Sequence, residues 1–243
     1  MILLPFHIII VTLVHKNYQI MTPLTRLPSG CQALDRLLGG GFEAGIISQI
    51  YGGAGTGKTN IAMQLSIQAV KRGLRVIFID TDGISTDRFK QIAGERAKEI
   101  ASKIIIFEPL TLQQQHISIK EAAKIAKIEL GLVVLDSATS LYRVMLEAED
   151  NKKVIKNLSI QMGALLELAR RHKVPALITN QVYTDIDTGM IKPLGGRALE
   201  HVCKAILELE KMDDGWRRAR IIKHRSQPEG ETAEFRITAK GLE

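Results

Sequence analysis

Residues 46–60 read Ile-Ile-Ser-Gln-Ile-Tyr-Gly-Gly-Ala-Gly-Thr-Gly-Lys-Thr-Asn, and this stretch decides the fold. Ile46–Tyr51 is rich in branched side chains and suits a buried strand. Gly52, Gly53, Ala54, Gly55, Thr56, Gly57, Lys58 and Thr59 then match the spacing G-x-x-x-x-G-K-[ST], and Asn60 leads into an amphipathic helical pattern. Glycines let the backbone curl so that successive N–H groups point inward at an anion. The helix that follows adds roughly half a positive charge at its N-terminus, facing the same anion. Residues 52–60 are therefore expected to hold the polyphosphate of ATP. Lys58 would reach the β- and γ-phosphates, and the Thr59 hydroxyl would ligate Mg²⁺.

Outward from that loop, Val76–Ile79, Ile104–Phe107, Leu132–Leu135 and Ala176–Thr179 are further short apolar runs. Each suits a strand buried on both faces of a parallel sheet. Between them Ile61, Leu65 and Ala69, and later Val154, Leu158, Met162, Leu165 and Ala169, recur at helical spacing. The alternation predicts an α/β fold, with a mostly parallel central sheet flanked by helices. After about residue 203 the pattern changes. Ala205, Leu207 and Leu209, then Ala233, Phe235 and Ile237, alternate with polar neighbours, and Asp213-Asp214-Gly215 reads as a hairpin turn before Arg218–Lys223. The tail is expected to add antiparallel strands to the sheet. No internal repeat or low-complexity tract is evident, and 243 residues suit one such domain.

Residues 1–20 stand apart from this pattern. Met1–Val14 is almost wholly apolar, too short to span a bilayer as a helix, and lacks the basic lead and small cleavage residues of a secretory signal. It is either an added strand or docking arm, or the natural start is Met21. The second reading is the expectation, with the domain over residues 21–243 and no membrane role. Cys31 and Cys203 have no metal-ligand spacing around them and read as packing residues in a reducing cytoplasm. The net charge of +7 and a pI near 9.4 favour a polyanionic partner such as nucleic acid, or reflect a basic proteome background.

A second Mg²⁺ group is expected at the end of another buried strand, and Leu132-Val133-Val134-Leu135-Asp136 supplies one. Asp136 there either holds a water of the Mg²⁺ shell or caps the strand end.

Together with the phosphate loop, several segments resemble the RecA/RadA recombinase superfamily, and within it the archaeal RadB proteins. They are Ser29-Gly30 through Leu37-Leu38-Gly39-Gly40-Gly41, Phe78-Ile79-Asp80-Thr81-Asp82-Gly83, Val133–Ser137, Thr179-Asn180-Gln181-Val182, Lys223-His224-Arg225, Pro228-Glu229-Gly230 and Phe235–Thr238. The resemblance runs from about Leu27 to Leu242 and implies a RecA-like P-loop ATPase core. RadB proteins resemble the RadA core without its N-terminal DNA-binding domain, and none is expected before Leu27. The family places a glutamate where this chain has Asp82, to activate the attacking water. An Asp carboxylate stops about 1.5 Å short, and a misplacement of about 1 Å can cost on the order of a hundredfold in rate. Weak ATP turnover is therefore expected, with a plain turn cap as the other reading of Asp82. The resemblance also makes Gln181 a γ-phosphate sensor. Met145–Lys153 and Tyr183–Pro193 would then be the DNA loops, yet they carry Glu147, Glu149, Asp150, Asp185 and Asp187, so strand exchange is not expected.

Positive charge gathers instead at Arg217, Arg218, Arg220, Lys223, His224 and Arg225. The group forms a DNA-backbone patch, or Lys223 and Arg225, on one side of a strand, reach a neighbour's γ-phosphate, or it is a solvated face. The leading expectation is a cytoplasmic recombination accessory protein. It would bind ATP and DNA, assist a RadA-type recombinase and self-associate in a form the sequence leaves open. The alternatives are a KaiC-like signalling ATPase acting on proteins only, and a nucleotide-dependent adaptor.

Overall fold

The chain enters on a short ladder, β1 (Arg26–Leu27) against β2 (Phe42–Glu43), closed around helix α1 (Gln32–Leu37). The repeating part follows. Strand β3 (Ile47–Gly52) leads to α2 (Lys58–Lys71), then β4 (Arg75–Asp80), α3 (Thr86–Ala93), α4 (Ala97–Ala101) and β5 (Ile104–Phe107). Next come α5 (Leu112–Ile125), β6 (Leu130–Asp136), α6 (Ser140–Ala148), α7 (Asn151–His172) and β7 (Ala176–Asn180). A small hairpin of β8 (Val182–Thr184) and β9 (Ile191–Pro193) precedes α8 (Gly196–Val202). The tail is β10 (Ala205–Lys211), β11 (Trp216–His224), β12 (Thr232–Thr238) and β13 (Gly241–Leu242). This computed structural model describes residues 25–126, 129–148, 151–185, 189 and 191–243. Met1–Val14, Met21, Glu149, Asp150 and Asp187 lie outside the described residues.

One nine-stranded sheet runs in the order β13-β12-β11-β10-β3-β7-β6-β4-β5. Period-two alternation splits its side chains between two cores. Ile50, Val76, Phe78, Leu132, Val134 and Leu177 face one, with α2; Ile47, Ile77, Ile79, Val133, Leu135 and Ile178 face the other, with α5 and α7. Burial on both faces is why these strands read as continuous apolar runs. The expected mostly parallel sheet flanked by helices, with antiparallel strands towards the C-terminus, is the architecture seen. β10 is the junction, parallel to β3 and antiparallel to β11.

Two local expectations change. Ile104–Phe107 is a strand at the expected residues but at the sheet edge, so it is not buried on both faces: Ile106 is 49% exposed. Ile104 and Ile106 line an apolar hollow of about 730 Å³ with Met63, Phe78 and Phe89. Most of Met145–Lys153 is helical, ending α6 and starting α7, because good helix formers such as Met, Leu and Ala continue the helix. Among the described residues no helix is long and apolar enough to cross a membrane. Cys31 and Cys203 are free and buried, and burial pushes the Cys203 thiol up to about 12, in keeping with packing roles.

Candidate nucleotide site

The parallel strands β3, β4, β6 and β7 all end on one edge of the sheet, where ligands of open α/β sheets bind. That edge brings the phosphate loop, Asp82, Asp136 and Gln181 to neighbouring strand ends. Tyr51 pairs with Asn180 and Asp80 with Asp136 in the ladders, so register alone sets their spacing.

The loop itself needs its glycines. Gly57 has φ +106° and Gly55 φ +69°, and a Cβ on Gly57 would run into Ile237 of β12. Gly57 caps α2 in a left-handed conformation without any side-chain bond, leaving the helix N–H groups to face into the loop. Lys58 Nζ donates to the loop's own carbonyls, at 2.8 Å from Gly52 O and 2.9 Å from Gly53 O. Burial lowers its pKa, against the raising effect of Asp136 and Asp82 nearby. An ammonium folded onto two carbonyl oxygens is a donor set that suits phosphate oxygens.

Asp136 is 2% exposed. Burial raises its pKa, opposed by hydrogen bonds from the Thr179 and Thr59 hydroxyls and reinforced by the charges of Asp82 and Asp80. A buried carboxylate beside the Thr59 hydroxyl, with too little positive charge to neutralise it, suits a divalent cation. The residues present therefore fit Mg²⁺ with a nucleotide polyphosphate.

The turn cap offered as the other reading of Asp82 falls to Asp80 instead. Its carboxylate accepts from the backbone N–H groups of Asp82 (3.2 Å), Gly83 (2.9 Å) and Ile84 (2.6 Å). Asp80 thus caps the turn, and Asp82 is left exposed, its carboxylate 3.4 Å from the Thr81 hydroxyl. The signal was an Asp followed by Gly three residues on, a turn-forming pattern. Asn180 is fully buried, accepting from Thr139 Oγ1 at 2.5 Å and donating to Leu194 O at 2.8 Å. It pins the start of the β8–β9 hairpin. Gln181 is held by its backbone, its N–H on Thr139 Oγ1 and its carbonyl accepting from Leu194 N.

Residues distant in sequence complete the rim. Arg88 Nε donates to Asn60 Oδ1 at 2.6 Å, and its Nη2 to Thr238 O at 2.7 Å. Arg217 Nη2 donates to Gly55 O at 3.4 Å, and Lys211 lies against Gly55. The sequence marks Arg217 only as part of the basic group and does not mark Arg88 or Lys211, because their partners lie on other elements.

The C-terminal basic group looks different in three dimensions. Arg218 pairs with Glu234 (2.8 Å), Arg220 with Glu210 (3.4 Å) and Arg225 with Glu43. Lys223 Nζ donates to Glu200 O at 2.5 Å, on the α8 side. β11 ends at His224, so Arg225 lies beyond the strand, and the expected shared direction of Lys223 and Arg225 is lost. His224 is half-buried, and burial followed by the Arg26 charge lowers its pKa.

Comparison with known proteins follows the same lines. A family model described as Rad51 matches residues 21–243. The DNA repair and recombination protein RadB of Methanococcoides burtonii is 53% identical over 218 residues, covering 89% of this chain and 97% of that protein. RadB of Archaeoglobus fulgidus is 42% identical over 221 residues with the same coverage. A solved crystal structure of the RadB recombinase superposes with a TM-score of 0.78 at 37% identity, covering 89% of this chain and 98% of that one.

Proposed function

Since the chain belongs to the Rad51 family, among the RadB DNA repair and recombination proteins, we propose that it is a recombination accessory protein that binds Mg²⁺ and ATP, hydrolyses slowly and holds DNA without exchanging strands. The observation that carries this reading is the pairing of a complete phosphate loop with a shortened water-activating group. The N–H groups of Gly53–Thr59 receive phosphate oxygens, and Lys58 Nζ swings from Gly52 O and Gly53 O to the β- and γ-phosphates. Thr59 and Asp136 would hold Mg²⁺, which neutralises charge on the phosphates. Asp82 Oδ takes the proton of the attacking water. Being one methylene short of Glu, it does so from too far away. Gln181, anchored through its backbone to the root of the β8–β9 hairpin, would pass the state of the γ-phosphate to that hairpin.

DNA would be held by the basic tail. The pairs of Arg218 and Arg220 are well exposed to solvent, and such pairs are typically worth about 0–1 kcal/mol. Phosphates can therefore compete for the arginines. The same pairing favours a second reading, in which the arginines stay engaged within the chain and only proteins are bound, as in a KaiC-like signalling ATPase. The protein is expected to act in the cytoplasm beside a RadA-type recombinase.

Titrating DNA with and without ATP at two salt concentrations tests the reading. Salt-sensitive binding is expected. Nucleotide binding without any DNA binding would favour the second reading, and no uptake of adenine nucleotide would end both.

A further inference from the structure

Most cations of the C-terminal segment have partners within the chain. Arg218, Arg220 and Arg225 sit on carboxylates, and Arg236 lies over the ring of Trp216 at 4.7 Å. Lys211 and Arg217 differ. They face each other across the β10–β11 ladder, where directly opposed like charges are destabilising. Among the described residues neither is ion-paired, not even with Asp213 and Asp214 of the turn between them. Arg217 Nη1 rests on the adjacent Trp216 O, and its Nε is buried without a hydrogen-bond partner. A buried donor left unmet is costly and uncommon in a native fold.

Both side chains end on the phosphate loop. Leu209 pairs with Gly52 in the ladder, so β10 runs on past the root of the loop and carries Lys211 alongside it. Arg217 Nη2 donates to Gly55 O at 3.4 Å, and Lys211 Nζ lies 2.9 Å from where a Cβ of Gly55 would stand. Only a glycine lets the ammonium come so close. Two opposed cations, one unmet donor and a single loop carbonyl leave an excess of positive charge behind a thin glycine backbone. A polyanion on the inner side of that backbone balances it. We propose that Lys211 and Arg217 are positioning residues of the nucleotide site, holding the phosphate loop from outside and raising its affinity with each added phosphate. The proposal rests on the nucleotide reading above and takes Arg217 out of the DNA group. While the loop is empty the two cations repel each other and lower stability, and a bound polyphosphate offsets that repulsion.

The test measures binding of AMP, ADP and ATP to wild type, Arg217→Met and Arg217→Lys by calorimetry, with melting temperatures taken without nucleotide. Arg217→Met should weaken ATP about tenfold, ADP less and AMP least, while the empty protein melts at a higher temperature than wild type. Arg217→Lys keeps the charge and should restore most of the ATP affinity. Lys211→Met, at an exposed position, should repeat the pattern of Arg217→Met and decides the matter if that variant does not fold. Equal losses for all three nucleotides, no rescue by lysine, or a lower melting temperature in the folded variants would make the pair a plain structural support and overturn the proposal. Weakened DNA binding with the preference for ATP over AMP intact would return both cations to the DNA patch and overturn it too. Wild-type protein that binds no ATP removes the nucleotide reading itself.

Discussion

The phosphate loop and the basic tail are both rich in charge, yet they differ in where their partners lie. Lys58 contacts Gly52 and Gly53, six and five residues away. Arg225 contacts Glu43, 182 residues away. The loop's shape comes mainly from its own backbone and from the helix it opens, so it was legible along the chain, although Arg217 and Ile237 reach it from distant strands. The tail's charges are visible in the sequence, but whether each is free or engaged depends on the packing of distant elements. Local groups make a site that can be read, whereas a charge run gives only an inventory.

The largest expected effect tests the local side of that comparison. Lys58→Ala removes the ammonium proposed to hold the phosphates and should weaken ATP binding on the order of a hundredfold. Nucleotide titration by calorimetry checks it, and near-wild-type affinity would mean that the loop does not grip phosphate. Asp136→Asn separates function from stability. The folded carboxyl holds its proton more tightly than the unfolded one, so its contribution to stability is fullest below the unfolded pKa and is lost as pH rises through the folded value. At neutral pH the Asn variant should therefore lose Mg²⁺-dependent affinity yet melt at a higher temperature than wild type without nucleotide. Equal melting temperatures would show that the buried charge costs nothing.

Next in size is Asp82→Glu, which restores the missing methylene. Single-turnover hydrolysis should rise by about tenfold to a hundredfold with ATP affinity unchanged. No rise would take Asp82 out of the water-activating role. A pH titration gives a smaller effect. Because the pKa of Asp136 is raised, the Mg²⁺ dependence of ATP binding should begin to fade, as pH drops, at a higher pH than an ordinary carboxylate would give.

The contrast also marks how much was legible in the sequence. The five apolar runs became β3 to β7, four of them because burial on both faces demands unbroken apolar residues, and the loop and Asp136 lie at strand ends. Ile106 misled, since an edge strand and a central one share the same composition. Asp80 was quoted but not understood, because its bonds are to backbone N–H groups that carry no residue signature. Arg88 went unnoticed and Arg217 was assigned only to the basic group, as they reach Thr238 and Gly55 across 150 and 162 residues.

The smallest effect probes the tail. Glu43, with 16% of its side chain exposed, grips Arg225 and lies 3.8 Å from Arg26. Glu43→Gln keeps the size and a hydrogen-bonding oxygen but removes the charge that holds Arg225. If the arginine is a DNA contact restrained within the chain, the variant should bind DNA a few-fold more tightly, with a salt slope steeper by nearly one unit. Arg225→Ala should move both quantities the other way. Should Arg225→Ala abolish hydrolysis and leave DNA affinity intact, Arg225 is a nucleotide contact for a neighbouring subunit instead. Should Glu43→Gln change neither and only lower the melting temperature, the pair simply fastens β2 to the end of β11, and the tail's charge is structural.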